Sequence, residues 1–244
     1  MTSSDIAPHY LLWDDKNLVD RLSGKTLNDF FRSERHFLEG ISDNVSSVLD
    51  VGCGCGRFLE LLRSLNFNVT YTGLDIIEKN IAVARDLYPD ALFEVGDVLS
   101  IERPWTFDLV NATGVFQHVP DFMELLSRMV KWSNRYVLFD VKFAEIEDHI
   151  IDIETSYTVN GAHKAYFNIL NGPRFIEDLR HLPGTCAIGV YGYETPTNDE
   201  TFYPDWVGPF ASVGILLEVG ETPWREQISL PDRFMRRITR KSEA

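Results

Sequence analysis

One stretch of the 244-residue sequence constrains the fold more than any other: Val48-Leu49-Asp50-Val51-Gly52-Cys53-Gly54-Cys55-Gly56-Arg57-Phe58. A short apolar run ends in three alternating glycines, and a leucine-rich stretch with helical spacing follows from Phe58 to Leu65. Glycine lets a backbone turn sharply and come close to a ligand. The start of the helix after it presents free N–H groups to an anion. The spacing is Gly-x-Gly-x-Gly. It matches neither the Gly-x-Gly-x-x-Gly of dinucleotide folds nor a Walker loop, which ends in Gly-Lys-Ser/Thr. Taken alone, the triplet also fits a tight strand-to-helix turn that binds nothing.

The surroundings repeat the pattern. Strands are predicted at Val48–Val51, Val69–Leu74, Ala91–Val95, Phe107–Ala112 and Tyr136–Phe139. Helices are predicted between them at Phe58–Leu65, at Glu78–Leu87 before Pro89, and from a cap at Asp121 to Trp132. Such β–α alternation implies a parallel sheet with helices on both faces. Right-handed crossovers make it doubly wound, and ligands sit at the carboxyl ends of the strands where strand order reverses. Ahead of it, Leu18, Leu22, Leu27, Phe30, Phe31, Phe37 and Leu38 recur at helical spacing with a break at Ser23-Gly24. Behind it, a β-hairpin turning at Asn160-Gly161 is expected, then a short helix after Gly172-Pro173 and two late strands, Cys186–Tyr193 and Val213–Val219, as an antiparallel edge. We therefore expect a single domain over 1–244, divided into a helical cap (1–45), a ligand-binding core (46–141), an insertion or lid (142–212), and a final strand with a basic tail (213–244). The tail, Arg233 to Lys241, reads as a solvated terminal helix.

Two acids follow the glycines in series. Asp75 ends the second strand, 19 positions past Gly56, near the spacing at which an acid meets a ribose diol. Asp97 follows the third strand, where a carboxylate can accept from an exocyclic amine. Each alone is commonly a turn residue. Placed in series at successive strand ends, they point to a nucleoside.

Together, Leu-Asp-Val-Gly-Cys-Gly-x-Gly-Arg-Phe, Gly-Leu-Asp, Gly-Asp-Val and Phe-Asp-Leu-Val-x-x-x-Gly-Val-Phe-Gln-His-Val-Pro-Asp resemble the class I S-adenosylmethionine-dependent methyltransferases. The resemblance runs from about Val48 to Val141. It implies an α/β fold with a doubly wound, mostly parallel seven-stranded sheet, N-terminal helices and a lid insertion after strand five. It also implies S-adenosylmethionine as cofactor and S-adenosylhomocysteine as product. By the same resemblance Asp50, Gly52, Cys53, Gly54 and Gly56 face the methionine part, Asp75 holds the ribose, Ile76 packs on the adenine, and Asp97 and Val98 flank its edge. Thr113 and Gly114 line the path to the sulfonium. In some relatives an arginine in the N-terminal helices binds the cofactor carboxylate; by the resemblance Arg32 or Arg35 is its counterpart, with helix-surface ion pairing as the alternative reading of both.

Candidate chemistry sits at the same sheet edge. His118, just past strand four, has an unperturbed pKa suited to proton removal from an acceptor. Asp140 and Lys142 alternate on strand five and share a face. Asp140 is a second catalytic candidate, and Lys142, His163, Tyr166 and Tyr203 join His118 as candidate acceptor contacts. No metal-ligand spacing occurs, since Cys53-x-Cys55 lies inside the glycine loop.

Charge narrows the acceptor. Twenty-three basic and 37 acidic side chains give a net charge of −14, which disfavours nucleic acid as a partner. No apolar run is long enough to span a bilayer. Three cysteines and no signal-peptide pattern suit the cytoplasm. The expected reaction is methylation of O or N on a small polar metabolite with sugar-like, phosphate-bearing or natural-product character, by an enzyme able to form a homodimer. The alternatives are a non-catalytic module that keeps the fold, and an RNA or protein methyltransferase using the basic tail.

Overall fold

The structure is a computed structural model and describes residues 6–24, 26–196, 199–221 and 223–239. A 3-10 turn over Pro8–Asp14 leads into α1 (Lys16–Ser23) and α2 (Arg32–Leu38). The alternating core follows: β1 (Ser47–Val51), α3 (Phe58–Ser64), β2 (Thr70–Asp75), α4 (Glu78–Leu87), β3 (Leu92–Val95), β4 (Phe107–Ala112), α5 (Phe122–Trp132) and β5 (Ser133–Ala144). Then come β6 (Tyr157–Asn160), β7 (His163–Tyr166), β8 (Leu170–Asn171), α6 (Gly172–Arg180), β9 (Thr185–Glu194), β10 (Thr201–Phe202), β11 (Ala211–Val219), β12 (Arg225–Ser229) and α7 (Asp232–Thr239).

Among the described residues the main sheet runs β12-β9-β11-β5-β4-β1-β2-β3, with the short β8 beside the end of β5. That makes nine strands against the seven expected. β11 runs antiparallel to both β5 and β9, and the other pairings are parallel. β9 is not the edge, because β12 lies outside it. β5 is also longer than its apolar centre suggested, because its outer half is covered by β11 and β8.

Alternation along β5 shows how the core divides. Val137 and Phe139 pack with Leu125, Leu126 and Met129 of α5 and Phe175 and Leu179 of α6. Leu138 faces the other way, toward Leu38 of α2, Leu61 and Leu62 of α3, and Ile81 of α4. Both faces are therefore apolar, as a sheet covered on both sides requires. Full burial of each such side chain contributes about 1.5–3 kcal/mol.

Three local expectations need correcting. The hairpin turns at Gly161-Ala162, since Asn160 pairs with His163, and Gly161 supplies the positive φ of +59°. Asp121 precedes α5 but its side chain accepts no capping hydrogen bond. The basic tail begins within α7, which is docked by buried Phe234, and its Arg240 and Lys241 lie outside the described residues.

Candidate active site

Strand order reverses between β1 and β4, and a cavity of about 790 Å³ opens at their carboxyl ends. The glycine loop forms its floor. Gly52, Gly54 and Gly56 have φ of +68°, +54° and +78°, the region where only glycine sits without strain. A Cβ on Gly52 would lie 2.5 Å from Val115 Cγ2, and one on Gly56 would lie 2.8 Å from the Phe93 ring. A Cβ on Gly54 would meet nothing closer than Leu22 Cδ1 at 3.8 Å, and the residue opens to the cavity.

Asp75 locks this loop. Its carboxylate accepts from the N–H groups of Gly54 and Ile77, both at 2.8 Å, and lines the cavity. Burial raises its pKa despite those bonds. Asp50 lies beside it. It accepts from the Tyr71 hydroxyl and, at 2.7 Å, from Asn111 Nδ2. Burial pushes its pKa up to about 7, against the pull of the two hydrogen bonds. Asn111 Nδ2 also reaches Thr113 Oγ1 at 3.2 Å, and the Thr113 hydroxyl donates to Glu34 Oε1 at 2.6 Å. Glu34 in turn accepts the Phe31 N–H at 2.6 Å, fastening the start of α2. A polar chain thus ties the N-terminal segment to the strand ends. Asn80 and Asn111 both line the cavity, and each keeps a buried amide oxygen with no partner. Such atoms are costly unless a ligand donates to them.

Ile76, Asp97 and Val98 complete this wall of the cavity. The Asp97 carboxylate accepts from Leu99 N–H and Ser100 Oγ at 2.9 and 2.8 Å, closing its own turn.

His118 lies across the cavity on the turn after β4. Its Nδ1 is 2.7 Å from the Tyr166 carbonyl oxygen, and the Trp13 ring meets it edge-on at 4.7 Å. Burial lowers its pKa to about 4. The ring is therefore neutral near pH 7, able to accept a hydrogen bond but a weaker proton acceptor than its unperturbed pKa suggested.

Other expected residues stand away from the cavity. Asp140 is 1% exposed and lies behind Gly114: its Oδ1 accepts the Gly114 N–H at 2.5 Å, and its Oδ2 accepts from Lys142 Nζ at 2.9 Å. Lys142 is 6% exposed and also donates to Ser212 Oγ at 3.1 Å, with the Phe31 ring over it. Neither is among the lining residues, so the alternation that put them on one face aimed them at the sheet's interior. Arg32 stands over the Tyr193 ring instead of a carboxylate site. His163 is exposed on β7, and Tyr203 packs on Phe210. Tyr166 contributes through its carbonyl and not its phenol. Residues not anticipated include Glu34, Asn111, Tyr10 and Trp13. The segment Asn111-Ala112-Thr113 carried the one available signal, a polar residue ending a buried strand.

Comparison with known proteins agrees with this geometry. A family model described as a methyltransferase domain matches residues 42–155. Trans-aconitate 2-methyltransferase of Escherichia coli O17:K52:H18 is 34% identical over 200 residues, 77% of this chain and 72% of the relative. The chain belongs to the class I S-adenosylmethionine-dependent methyltransferases. A further trans-aconitate 2-methyltransferase, from Escherichia coli O7:K1, is 29% identical over 142 residues, and the match spans 53% of this chain and 56% of that relative. N-methyltransferase NodS from Bradyrhizobium japonicum WM9, solved with S-adenosyl-L-homocysteine, is 14% identical with a TM-score of 0.57, over 88% of this chain and all of that one. That likeness concerns the fold. Class I methyltransferases take S-adenosylmethionine as methyl donor, and the open glycine turn and the unpartnered amide oxygens of Asn80 and Asn111 fit a ligand rich in hydroxyl and amine donors.

Proposed function

We propose that the cavity binds S-adenosylmethionine along the carboxyl ends of β1 to β4 and that the enzyme methylates O or N of a small polar metabolite, releasing S-adenosylhomocysteine. One observation carries the reading: the positive-φ glycines Gly52 and Gly54, together with Asp75 and Asp97, line one cavity, while Gly56 turns the loop behind them. Asp50 and the loop of Gly52, Cys53, Gly54 and Gly56 hold the methionine part. Asp75 takes the ribose hydroxyls on the lone pairs left by its backbone donors. Ile76 and Val98 sandwich the adenine, with Asp97 at its edge. Thr113 and Gly114 border the path to the acceptor. When bound, the cofactor supplies an electrophilic methyl group; the protein supplies alignment and exclusion of water. His118, held by Tyr166, orients the acceptor.

The N-terminal turn and the hairpin β6–β7 meet over His118, through His9 on the Tyr166 ring and Trp13 on His118. In this reading they close the acceptor side, with 142–212 as the greater part of the lid. The acidic surface suits a small acceptor better than a nucleic acid. The three buried free cysteines suit a reducing cytoplasm, and a homodimer is compatible with the fold. The test is transfer of labelled methyl from S-adenosylmethionine into small metabolites. Label in a small product supports the reading, and S-adenosylhomocysteine binding with no transfer to any acceptor supports a non-catalytic module instead.

A further inference from the structure

The relatives named above act, by their names, on trans-aconitate, a tricarboxylate. The charges around this cavity are unsuited to such a ligand. Six carboxylate side chains line it: Asp50, Asp75 and Asp97, assigned above to the cofactor, and Asp29, Glu34 and Glu200 besides. Only two cationic side chains do so among the described residues, and both are engaged. Arg21 Nη1 lies 3.2 Å from Glu200, and Arg57 donates to the Tyr88 hydroxyl at 2.9 Å and pairs with Glu60. Lys142 is buried beneath the cavity against Asp140 and Ser212. A trianion entering here would add to an excess of negative charge.

His118 adds a directional requirement. The Tyr166 carbonyl can only accept, so Nδ1 carries the imidazole proton and Nε2 keeps its lone pair. Burial holds the ring neutral well below pH 7. An ionised carboxylate has no proton to offer that lone pair and would be repelled by it. A hydroxyl or amine has one.

We infer that the methyl-receiving group is a hydroxyl or an amine that donates a hydrogen bond to His118 Nε2, and that polycarboxylates such as trans-aconitate are excluded. The inference rests on the methyltransferase reading of the same cavity. In the step it implies, the acceptor's lone pair forms the bond to the methyl carbon as the carbon–sulfur bond breaks, with its electron pair staying on sulfur. The acceptor's proton leaves along the hydrogen bond to Nε2 and on to water. His118 serves as a specificity residue that selects an X–H acceptor and aims its lone pair.

Three measurements on the full chain test this. In the first, the enzyme is given methyl-labelled S-adenosylmethionine with a small-metabolite extract, and the product is treated with base. Ethers and N-methyl groups keep their label, whereas methyl esters release it as methanol. Label stable to base is expected. Label released as methanol, or no labelled product from a protein that binds S-adenosylhomocysteine, overturns the inference. In the second, trans-aconitate is titrated into the S-adenosylhomocysteine-saturated protein. No saturable binding is expected, and saturable binding overturns it. In the third, ¹⁵N NMR of the His118 ring at pH 6 is expected to show a neutral imidazole protonated at Nδ1. A protonated imidazolium at that pH overturns it. His118→Phe should cut transfer to the base-stable acceptor about tenfold or more while S-adenosylhomocysteine affinity stays within about twofold. Failure of the wild-type protein to bind S-adenosylhomocysteine would instead break the reading of the cavity itself.

Discussion

Asp50 and Asp140 are the same residue on strands that flank β4, both almost fully buried at 3% and 1% exposure, yet their surroundings treat them oppositely. Asp50 is held by two neutral donors, Tyr71 and Asn111, and its pKa rises to about 7. Asp140 is paired with Lys142 and accepts a backbone N–H. Asp50 can therefore change charge when a ligand arrives, and it faces the cavity. Asp140 is locked and acts one layer back, pinning Gly114, whose φ is +79°. Burial alone does not mark a ligand-facing carboxylate; these two differ in whether a cation of the protein already pairs with it.

The largest effect should come from breaking the locked pair. Lys142→Met leaves Asp140 buried and unpaired, and should cost about 3–5 kcal/mol of stability in chemical denaturation. Asp140→Asn combined with Lys142→Met removes the orphaned charge, keeps an acceptor for the Gly114 N–H, and should recover most of that loss. A mild single variant would mean the two aspartates are not opposites.

The glycine floor comes next. Gly52→Ala should cost about 1–3 kcal/mol, because strained φ and the contact with Val115 add together. Gly54→Ala, where space is open, should cost only the backbone penalty, about 1–2 kcal/mol. Thermal melts that ranked Gly54→Ala above Gly52→Ala would contradict the described packing. Asp75→Ala should weaken S-adenosylhomocysteine binding by about 1–3 kcal/mol, measured by calorimetry.

Dependence on pH tests the adjustable member directly. Asp50 is protonated more readily folded than unfolded, so its contribution to stability is present at low pH and is lost as pH rises from about 4 through about 7, with a limiting slope near 1.4 kcal/mol per pH unit. His118 acts oppositely, and its contribution is lost as pH falls from about 6.5 through about 4. The two therefore offset each other below pH 6.5, and denaturation of Asp50→Asn against wild type isolates the first. A ligand ammonium beside Asp50 favours the carboxylate, so S-adenosylhomocysteine affinity should rise from pH 5.5 to 7.5 in the wild type and stay flatter in Asp50→Asn.

The comparison also shows what a sequence can reveal. Asp75 and Gly54 were legible because Asp75 closes on the Gly54 and Ile77 N–H groups over a single strand crossing, whereas the Asn111 amide that holds Asp50 comes from 61 residues away. Asp140 was not, because its partners Gly114 and, through Lys142, Ser212 come from 26 and 70 residues away. Glu34 was missed because it meets Thr113 across 79 residues and starts a helix without the usual Ser, Thr, Asp or Asn cap. His118 was placed at the correct edge, but its lowered pKa depends on burial beneath segments distant in the chain. Strand β12 escaped because Arg225-Glu226-Gln227-Ile228-Ser229 is polar, as an edge strand can afford to be.

The central claim is that this wall of glycines and acids is a binding site for S-adenosylmethionine and its product. Calorimetric titration of the full chain with S-adenosylhomocysteine tests it most directly. Saturable binding to a single site, weakened by Asp75→Ala, is the predicted result. A wild-type chain that is folded and gives no saturable binding would contradict the account.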